Sequence, residues 1–324
     1  MRFMTVAATV AATFSLSPAF AQDDRADWPT SIAIGTASQG GTQFIYGTGM
    51  AGLISQNLGL NASGEVTGGP VQNATLVETG DHQIGLVTMG PAYAAWTGNS
   101  ELAPGVEHSS LRALFPMYQT GFDIVTLASS GIEDVTGLTG KRVSVGPAGG
   151  TAATYWPVMF EELGVSANLS YAGANDATSQ LKDGLIDAFA FAAGMPISAF
   201  AQIAAENEVN VFALTPEQQA QVTAAMPEVA AFEVPGGMYQ NHPEGHPSVS
   251  MWVFTITHQD MPESLAYEIT KLVMENNEAM MQIHATAAET LPENVDKNTF
   301  LPYHPGAVRY FDEIGVEIPA ELRG

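Results

Sequence analysis

Two glycine-rich turns, one in each half of the sequence, carry the residue types that bind an anion without a charged side chain. Gly40-Gly41-Thr42 follows the apolar segment Ile32–Ile34, and Gly149-Gly150-Thr151 follows Val143–Val145. Glycine allows close backbone approach, and a helix that begins at such a turn offers free N–H groups and the positive end of its dipole. Each threonine can either cap its helix or donate its hydroxyl to a ligand. The pattern favours binding of a carboxylate.

The two turns belong to a longer internal repeat. Tyr46 follows the first turn at the same spacing as Tyr155 follows the second. Further matches recur in the same order at near-equal offsets and pair Gly69, Leu76, Ile84 and Pro91 with Gly173, Leu181, Ile186 and Pro196. Strand, glycine loop and helix in succession are typical of a parallel sheet with crossover helices. Two similar lobes would place both turns at one cleft, because ligands bind beyond the carboxyl ends of such strands; chance similarity between βα units is the alternative.

The amino-terminal segment predicts export. Met1-Arg2, an apolar run from Val6 to Phe14 and Ala19-Phe20-Ala21 together indicate a Sec-type signal peptide over residues 1–21, and hence a periplasmic protein. The sequence has no cysteine, which excludes disulfides and thiolate chemistry. Its 34 acidic and 10 basic residues give a net charge of −24, which argues against a nucleic-acid partner.

Signals for catalysis, metals and cofactors are weak. Gly47–Gly52 matches the dinucleotide fingerprint, but it lies downstream of its strand and inside a helical pattern. His242 and His246 have the spacing of a metal pair, but Pro243 and Gly245 break the helix that such a pair uses. We therefore expect no catalytic residue, no metal and no cofactor.

The sequence resembles the TAXI-type receptors of TRAP transporters over nearly the whole exported chain. The first-half segments that carry the resemblance are Ile34-Gly35-Thr36 with Gly40-Gly41-Thr42, Thr67-Gly68-Gly69-Pro70-Val71-Gln72-Asn73 and Ile84-Gly85-Leu86-Val87. The later segments are Val145-Gly146-Pro147 with Gly149-Gly150-Thr151, Asp187-Ala188-Phe189 running to Gly194-Met195-Pro196, Tyr267-Glu268-Ile269-Thr270-Lys271 and His304-Pro305-Gly306-Ala307-Val308-Arg309-Tyr310-Phe311. The second glycine loop is one residue shorter than the usual form, and Thr88-Met89-Gly90 replaces a more polar stretch.

This resemblance implies an α/β, two-lobed class II periplasmic binding protein fold, each lobe a mainly parallel sheet with flanking helices. We assign residues 22–117 and 249–324 to lobe I and residues 118–248 to lobe II, with strands Leu111–Phe115 and Phe122–Leu127 near the crossing. The resemblance also implies that the two lobes close over a small carboxylate, since glutamate, glutamine and 2-oxoglutarate are among the ligands of this family. We expect a monomeric receptor that delivers this organic anion to an integral-membrane, sodium-coupled TRAP permease.

The expected ligand site combines the two turns with neighbouring hydroxyls and aromatic rings. The residues predicted to bind the ligand are Gly40, Gly41, Thr42, Tyr46, Thr67, Thr88, Tyr118, Gly149, Gly150, Thr151, Tyr155, Phe191 and Gly194. Tyr93 also falls beside the segments expected to line the cleft. Arg112 and Arg142 begin their strands, at the end opposite the turns, so we expect backbone amides and hydroxyls to hold the carboxylate without a central arginine.

Two other functions fit the same sequence. A periplasmic sensor for a membrane signalling partner uses the same lobe closure, so fold alone does not separate sensing from transport. An exported hydrolase with a dispersed site is the other alternative, although no serine, histidine and acid are clustered in the sequence.

Overall fold

The computed structural model describes residues 25–324, and the predicted signal peptide of residues 1–21 lies outside the described residues. The strands are β1 Ser31–Gly35, β2 Asn61–Glu65, β3 Ile84–Thr88, β4 Leu111–Leu127, β5 Arg142–Ser144, β6 Asn168–Ser170, β7 Ala188–Gly194, β8 Val209–Phe212, β9 Ala230–Val234 and β10 His246–His258. The helices are α1 Thr42–Leu58, α2 Pro70–Glu78, α3 Met89–Trp96, α4 Thr151–Glu162, α5 Ala174–Lys182, α6 Ser198–Glu206, α7 Pro216–Ala225, α8 Glu263–Glu275, α9 Asn277–Ile283 and α10 Pro305–Glu313. Short 3₁₀ helices span Ala128–Ser130, Val135–Leu138, Ala285–Glu289, Pro292–Lys297 and Ala320–Leu322.

The sheet has a symmetric strand order, β2-β1-β3-β10-β4-β7-β5-β6, with β8 beside β4 and β9 beside β10. β1 pairs in parallel with β2 and β3, and β5 pairs in parallel with β6 and β7. The first four strands of this order, β2-β1-β3-β10, therefore correspond to the last four taken in reverse, β6-β5-β7-β4. This arrangement confirms the internal repeat, since β1 with α1 corresponds to β5 with α4.

The middle of the sheet is antiparallel. β10 runs antiparallel to β3 and β4, and β4 runs antiparallel to β7. The predicted α/β class is confirmed, and the sheet as a whole is mixed because β4 and β10 are long strands that run between the two parallel sets. The two strands expected near the crossing, Leu111–Phe115 and Phe122–Leu127, form one continuous strand, β4. The pairing of β4 with β10 shifts register beside Pro116, which has no N–H to donate to the neighbouring strand.

Two hydrophobic cores form around opposite ends of these long strands. One core contains side chains up to Tyr118 and again from Val253 onward, whereas the other contains those from Phe122 to Met251. The chain changes core within β4 and again within β10. We call the part around the first core lobe I and the part around the second lobe II; the boundaries at 117/118 and 248/249 stay predictions. No helix among residues 25–324 is long and apolar enough to cross a membrane.

Candidate ligand-binding site

A small cavity lies between the lobes, at the carboxyl ends of the parallel strands. The cavity has a volume of about 20 Å³, which is enough for about one water molecule. Residues of both lobes line it: Ala37, Ser38, Gly41, Thr42, Gln43, Gly68, Gly69, Pro70, Thr120, Pro147, Gly150, Thr151, Phe191, Ala192 and Ala193. None of these lining residues carries a charge, so an anion here would depend on backbone and hydroxyl groups.

Three helices begin at this cavity. α1 starts at Thr42, α2 at Pro70 and α4 at Thr151, and in each case the preceding N-cap residue is a glycine without a capping side chain. The first N–H groups of a helix have no partner within the helix, and together with the helix dipole they attract negative charge. The starts of α1 in lobe I and α4 in lobe II therefore offer N–H groups to an anion. α2 adds chiefly its dipole, because Pro70 has no N–H and the Val71 N–H is bonded to the Gly149 carbonyl oxygen.

The lobes contact each other directly around the cavity. Thr42 Oγ1 donates a hydrogen bond to the carbonyl oxygen of Gly194 at 2.8 Å, and the hydroxyls of Thr88 and Thr151 are 2.7 Å apart. The Val71 N–H donates to the Gly149 carbonyl oxygen at 3.1 Å. Neither Thr42 nor Thr151 caps its helix, so their hydroxyls are directed across the cleft. A ligand larger than a water molecule needs the two sets of turns to move apart and exchanges these bonds for its own.

Two of the turn glycines meet the opposite lobe closely. Gly69 has a φ of 115°, and a Cβ there would lie 3.0 Å from Gly150 Cα. Gly40 has a φ of 89°, and a Cβ there would lie 2.1 Å from Asn175 Oδ1. The left-handed backbone and the close approach both require glycine at these positions.

Several predicted residues lie one layer behind the cavity. Thr67 Oγ1 accepts a hydrogen bond from the Gly69 N–H at 3.1 Å and donates to Asn73 Oδ1 at 2.7 Å, which fixes the turn before α2. Thr88, Gly149 and Gly194 make the cross-cleft bonds described above. Their positions fit a supporting role for the residues that line the cavity.

The predicted aromatic residues are distributed differently. Phe191 lines the cavity. Tyr46 and Tyr118 are fully buried in the core of lobe I, with ring centroids 5.5 Å apart, and the Tyr46 hydroxyl is hydrogen-bonded to Thr290 at 2.9 Å. Burial raises the pKa of the Tyr118 phenol well above its ordinary value, so it stays neutral. Tyr155 lines a separate, larger groove together with Tyr93. Tyr46, Tyr118 and Tyr155 are therefore not among the cavity-lining residues.

Other residues of the lining carry weaker signals in the sequence. Gly68, Gly69 and Pro70 lie in the glycine-rich segment after Thr67, and of this segment the sequence predicts only Thr67 as a ligand contact. Thr120 and Ala193 reach the cavity because β4 and β7 pair side by side. No local pattern marks such residues, since they depend on strand register.

Several basic side chains of the described residues have partners away from the cavity. Arg142 forms a salt bridge with Asp187 at 2.7 Å, and Lys182 forms one with Glu206 at 2.9 Å. The Arg309 guanidinium lies 4.3 Å from the ring centroid of Tyr267.

The two discounted motifs have structural roles. Gly47–Gly52 lies inside α1. The Val211 N–H donates to His242 Nε2 at 3.1 Å, whereas His246 Nε2 lies 2.5 Å from Asp123 Oδ1. Among residues 25–324, no group of three or more histidine and acidic side chains is placed to hold a metal ion.

The two-lobed α/β fold is similar to that of solved solute-binding proteins. An ABC uptake transporter substrate-binding protein from Streptococcus pneumoniae with bound histidine is 15% identical, with a TM-score of 0.51 over 81% of this chain and 94% of that chain. An ancestral arginine-binding protein bound to arginine is 14% identical, with a TM-score of 0.49 over 79% and 97%. The sequence model of the NMT1-like family matches residues 34–315, and the chain belongs to this family.

Proposed function

We propose that the protein is a periplasmic solute receptor that binds a small organic carboxylate, an amino or dicarboxylic acid of the glutamate or 2-oxoglutarate type, in the cleft between its lobes. Three helix N-termini, from both lobes, meet at a cavity without charged side chains, and this geometry is the main support for an anionic ligand. A carboxylate matches this surface because charge-assisted hydrogen bonds from backbone N–H groups are about twice as strong as neutral ones.

Binding is coupled to movement of the lobes. The cavity of about 20 Å³ admits no acid of this size, so the lobes separate to accept the ligand and then close on it. The Thr42 and Thr151 hydroxyls, which now bond across the cleft, become donors to the ligand. A ligand that contacts both lobes only when they are close shifts the population toward the closed form.

A thermal-shift screen tests this function. The protein without residues 1–21 is heated with amino acids and C4–C6 dicarboxylates, each paired with its methyl ester as a neutral control. A ligand that binds only the native state raises the melting temperature by mass action. We expect at least one acid, and not its ester, to raise it. No response to any acid, or equal responses to acid and ester, would contradict the proposal.

The partner we propose is a sodium-coupled permease of the TRAP type, which the protein serves as a monomer. The resemblance of the glycine-turn and carboxyl-terminal segments to TAXI-type receptors supports this partner. Uptake into proteoliposomes that contain a TRAP permease tests it. We expect uptake that needs the receptor and a sodium gradient; uptake that needs ATP and an ABC transporter instead would exclude the TRAP partner and leave the receptor function intact.

A further inference from the structure

A second, larger groove lies beside the cavity and is also bounded by both lobes. Its volume of about 660 Å³ lies within the range of small-molecule sites. α3 and the segment around Phe300 form one wall, Tyr155 and residues 227–230 form the other, and β10 forms the floor. Glu228 and Lys297 are the charged residues that line it, one of each sign, so the groove has no preference for a net charge.

The groove and the cavity share one floor. Thr120 of β4 lines the cavity, Met251 of β10 lines the groove, and the two residues are direct cross-strand partners. Directly opposed residues of an antiparallel pair project from the same face of a sheet and lie about 5 Å apart. The two spaces are therefore neighbouring parts of the same interlobe face.

Contacts between the lobes lie between the two spaces. Thr151 lines the cavity, and Tyr155, one helical turn further along the same face of α4, lines the groove. On the opposite side, Thr88 is hydrogen-bonded to Thr151, and the Tyr155 hydroxyl lies against Gly90, where a Cβ would be 2.1 Å from it. The movement that enlarges the cavity opens these same contacts and joins it to the groove.

The walls of the groove indicate what it binds. Tyr93 is 53% exposed, and its ring packs edge-on against Phe300 with centroids 5.1 Å apart. Exposed aromatic faces of this kind pack against apolar and aromatic groups. We propose that the groove is the second compartment of the ligand site and takes the aromatic part of an organic acid whose carboxylate lies at the helix N-termini. This inference rests on the proposed receptor function.

Matched ligand pairs test the groove. Isothermal titration compares phenylalanine with alanine and 3-phenylpropionate with propionate, so that each pair shares one head group. Burying the ring is expected to tighten binding at least tenfold within each pair. Phe300→Ala and Tyr93→Ala should remove most of this gain without changing the melting-temperature response to the acids that lack a ring. Tyr171→Ala is the matched control, since Tyr171 is an exposed aromatic residue outside the groove.

The outcomes separate this inference from the function on which it rests. If glutamate or 2-oxoglutarate binds but the aryl acids bind no tighter than their short partners, the groove is not a ligand compartment and the receptor function stands. If the aryl acids bind tightly and the two groove variants leave the gain intact, the ring lies elsewhere and the inference is overturned. If no acid binds, the receptor function fails and the groove assignment fails with it.

Discussion

The hydroxyls of Thr88 in lobe I and Thr151 in lobe II lie 2.7 Å apart and form a hydrogen bond across the cleft. Thr151 begins α4 and lines the cavity, whereas Thr88 ends β3 and does not line it. Thr151 is therefore positioned to contact a ligand, whereas Thr88 only helps to hold the lobes together.

The two threonines should respond differently to substitution. Thr151→Val removes a hydroxyl that donates to the bound carboxylate, and hydrogen bonds to charged groups contribute about 1.5–3 kcal/mol. We expect it to weaken binding of the acid found by thermal shift at least tenfold. Thr88→Val breaks the same cross-cleft bond but should leave affinity unchanged or raised, because the ligand-free approach of the lobes, which leaves room for only about one water, competes with binding.

Isothermal titration measures both variants. Thr178→Val is a suitable control, since the buried Thr178 hydroxyl donates to the Ala174 carbonyl oxygen within its own helix, away from the cavity. Equal losses for Thr88→Val and Thr151→Val would mean that the hydrogen bond between them persists in the complex, contrary to the exchange described here.

Gly90→Ala should hold the lobes apart. The new Cβ would lie 2.1 Å from the Tyr155 hydroxyl and 3.0 Å from Met251 Sδ, and overpacking of this kind costs about 1–3 kcal/mol. We expect the distance between spin labels on the two lobes, measured by pulsed electron paramagnetic resonance, to shift toward longer values.

Two further variants make that experiment specific. Adding Tyr155→Phe to Gly90→Ala removes the atom nearest to the new Cβ, leaves Cζ of the ring at 2.9 Å, and should restore part of the short distance. Gly52→Ala changes a helical glycine with open space around it and should leave the distances unchanged. If Gly90→Ala gives the wild-type distance distribution, this close approach of the lobes is not populated in solution.

Asp123 on β4 should make stability depend on pH. It is fully buried against His246, and one of its carboxylate oxygens has no hydrogen-bond partner among the described residues. Burial raises the pKa of the Asp123 carboxyl from 3.8 to about 6, and the hydrogen bond and charge of His246 only partly oppose this. Burial alone would lower the pKa of His246, but its hydrogen bond to Asp123 and the charges of Asp123 and Glu233 outweigh burial and raise it.

The native state therefore binds more protons than the unfolded state between about pH 4 and pH 6, so this group reduces the unfolding free energy as pH rises through that range. Asp123→Asn should remove most of this loss. Urea denaturation at pH 4 and pH 7 measures it: wild type should lose stability relative to the variant on going to pH 7. Parallel changes in the two proteins would show that Asp123 titrates normally.

The sequence predicts where the glycine turns lie because their chemistry is local, although Gly40 and Gly149 are not among the residues that line the cavity. Gly41, Thr42, Gly150 and Thr151 line the cavity because a helix begins immediately after each turn, and residue type alone marks such a site. The repeated order of strand, turn and helix likewise predicts the symmetric arrangement of the two halves.

Residues placed by register or by helix rotation are harder to predict. Tyr46 lies four residues into α1, about 6 Å along the helix from its first residue, and its ring packs into the core of lobe I. Thr120 and Ala193 line the cavity because β4 pairs with β7, which no single segment reveals. Phe300 reaches the groove beside Tyr93 although more than half of the chain separates them.

We propose that backbone amides at the starts of α1 and α4, one helix from each lobe, jointly hold the anionic group. A ¹H–¹⁵N NMR titration with the acid selected by thermal shift tests this arrangement. We predict that the largest shifts occur at the amides of Thr42, Gln43, Thr151 and Ala152, and that the methyl ester does not reproduce them. Largest shifts confined to one lobe, or centred near Arg142 or Arg309, would contradict this binding mode.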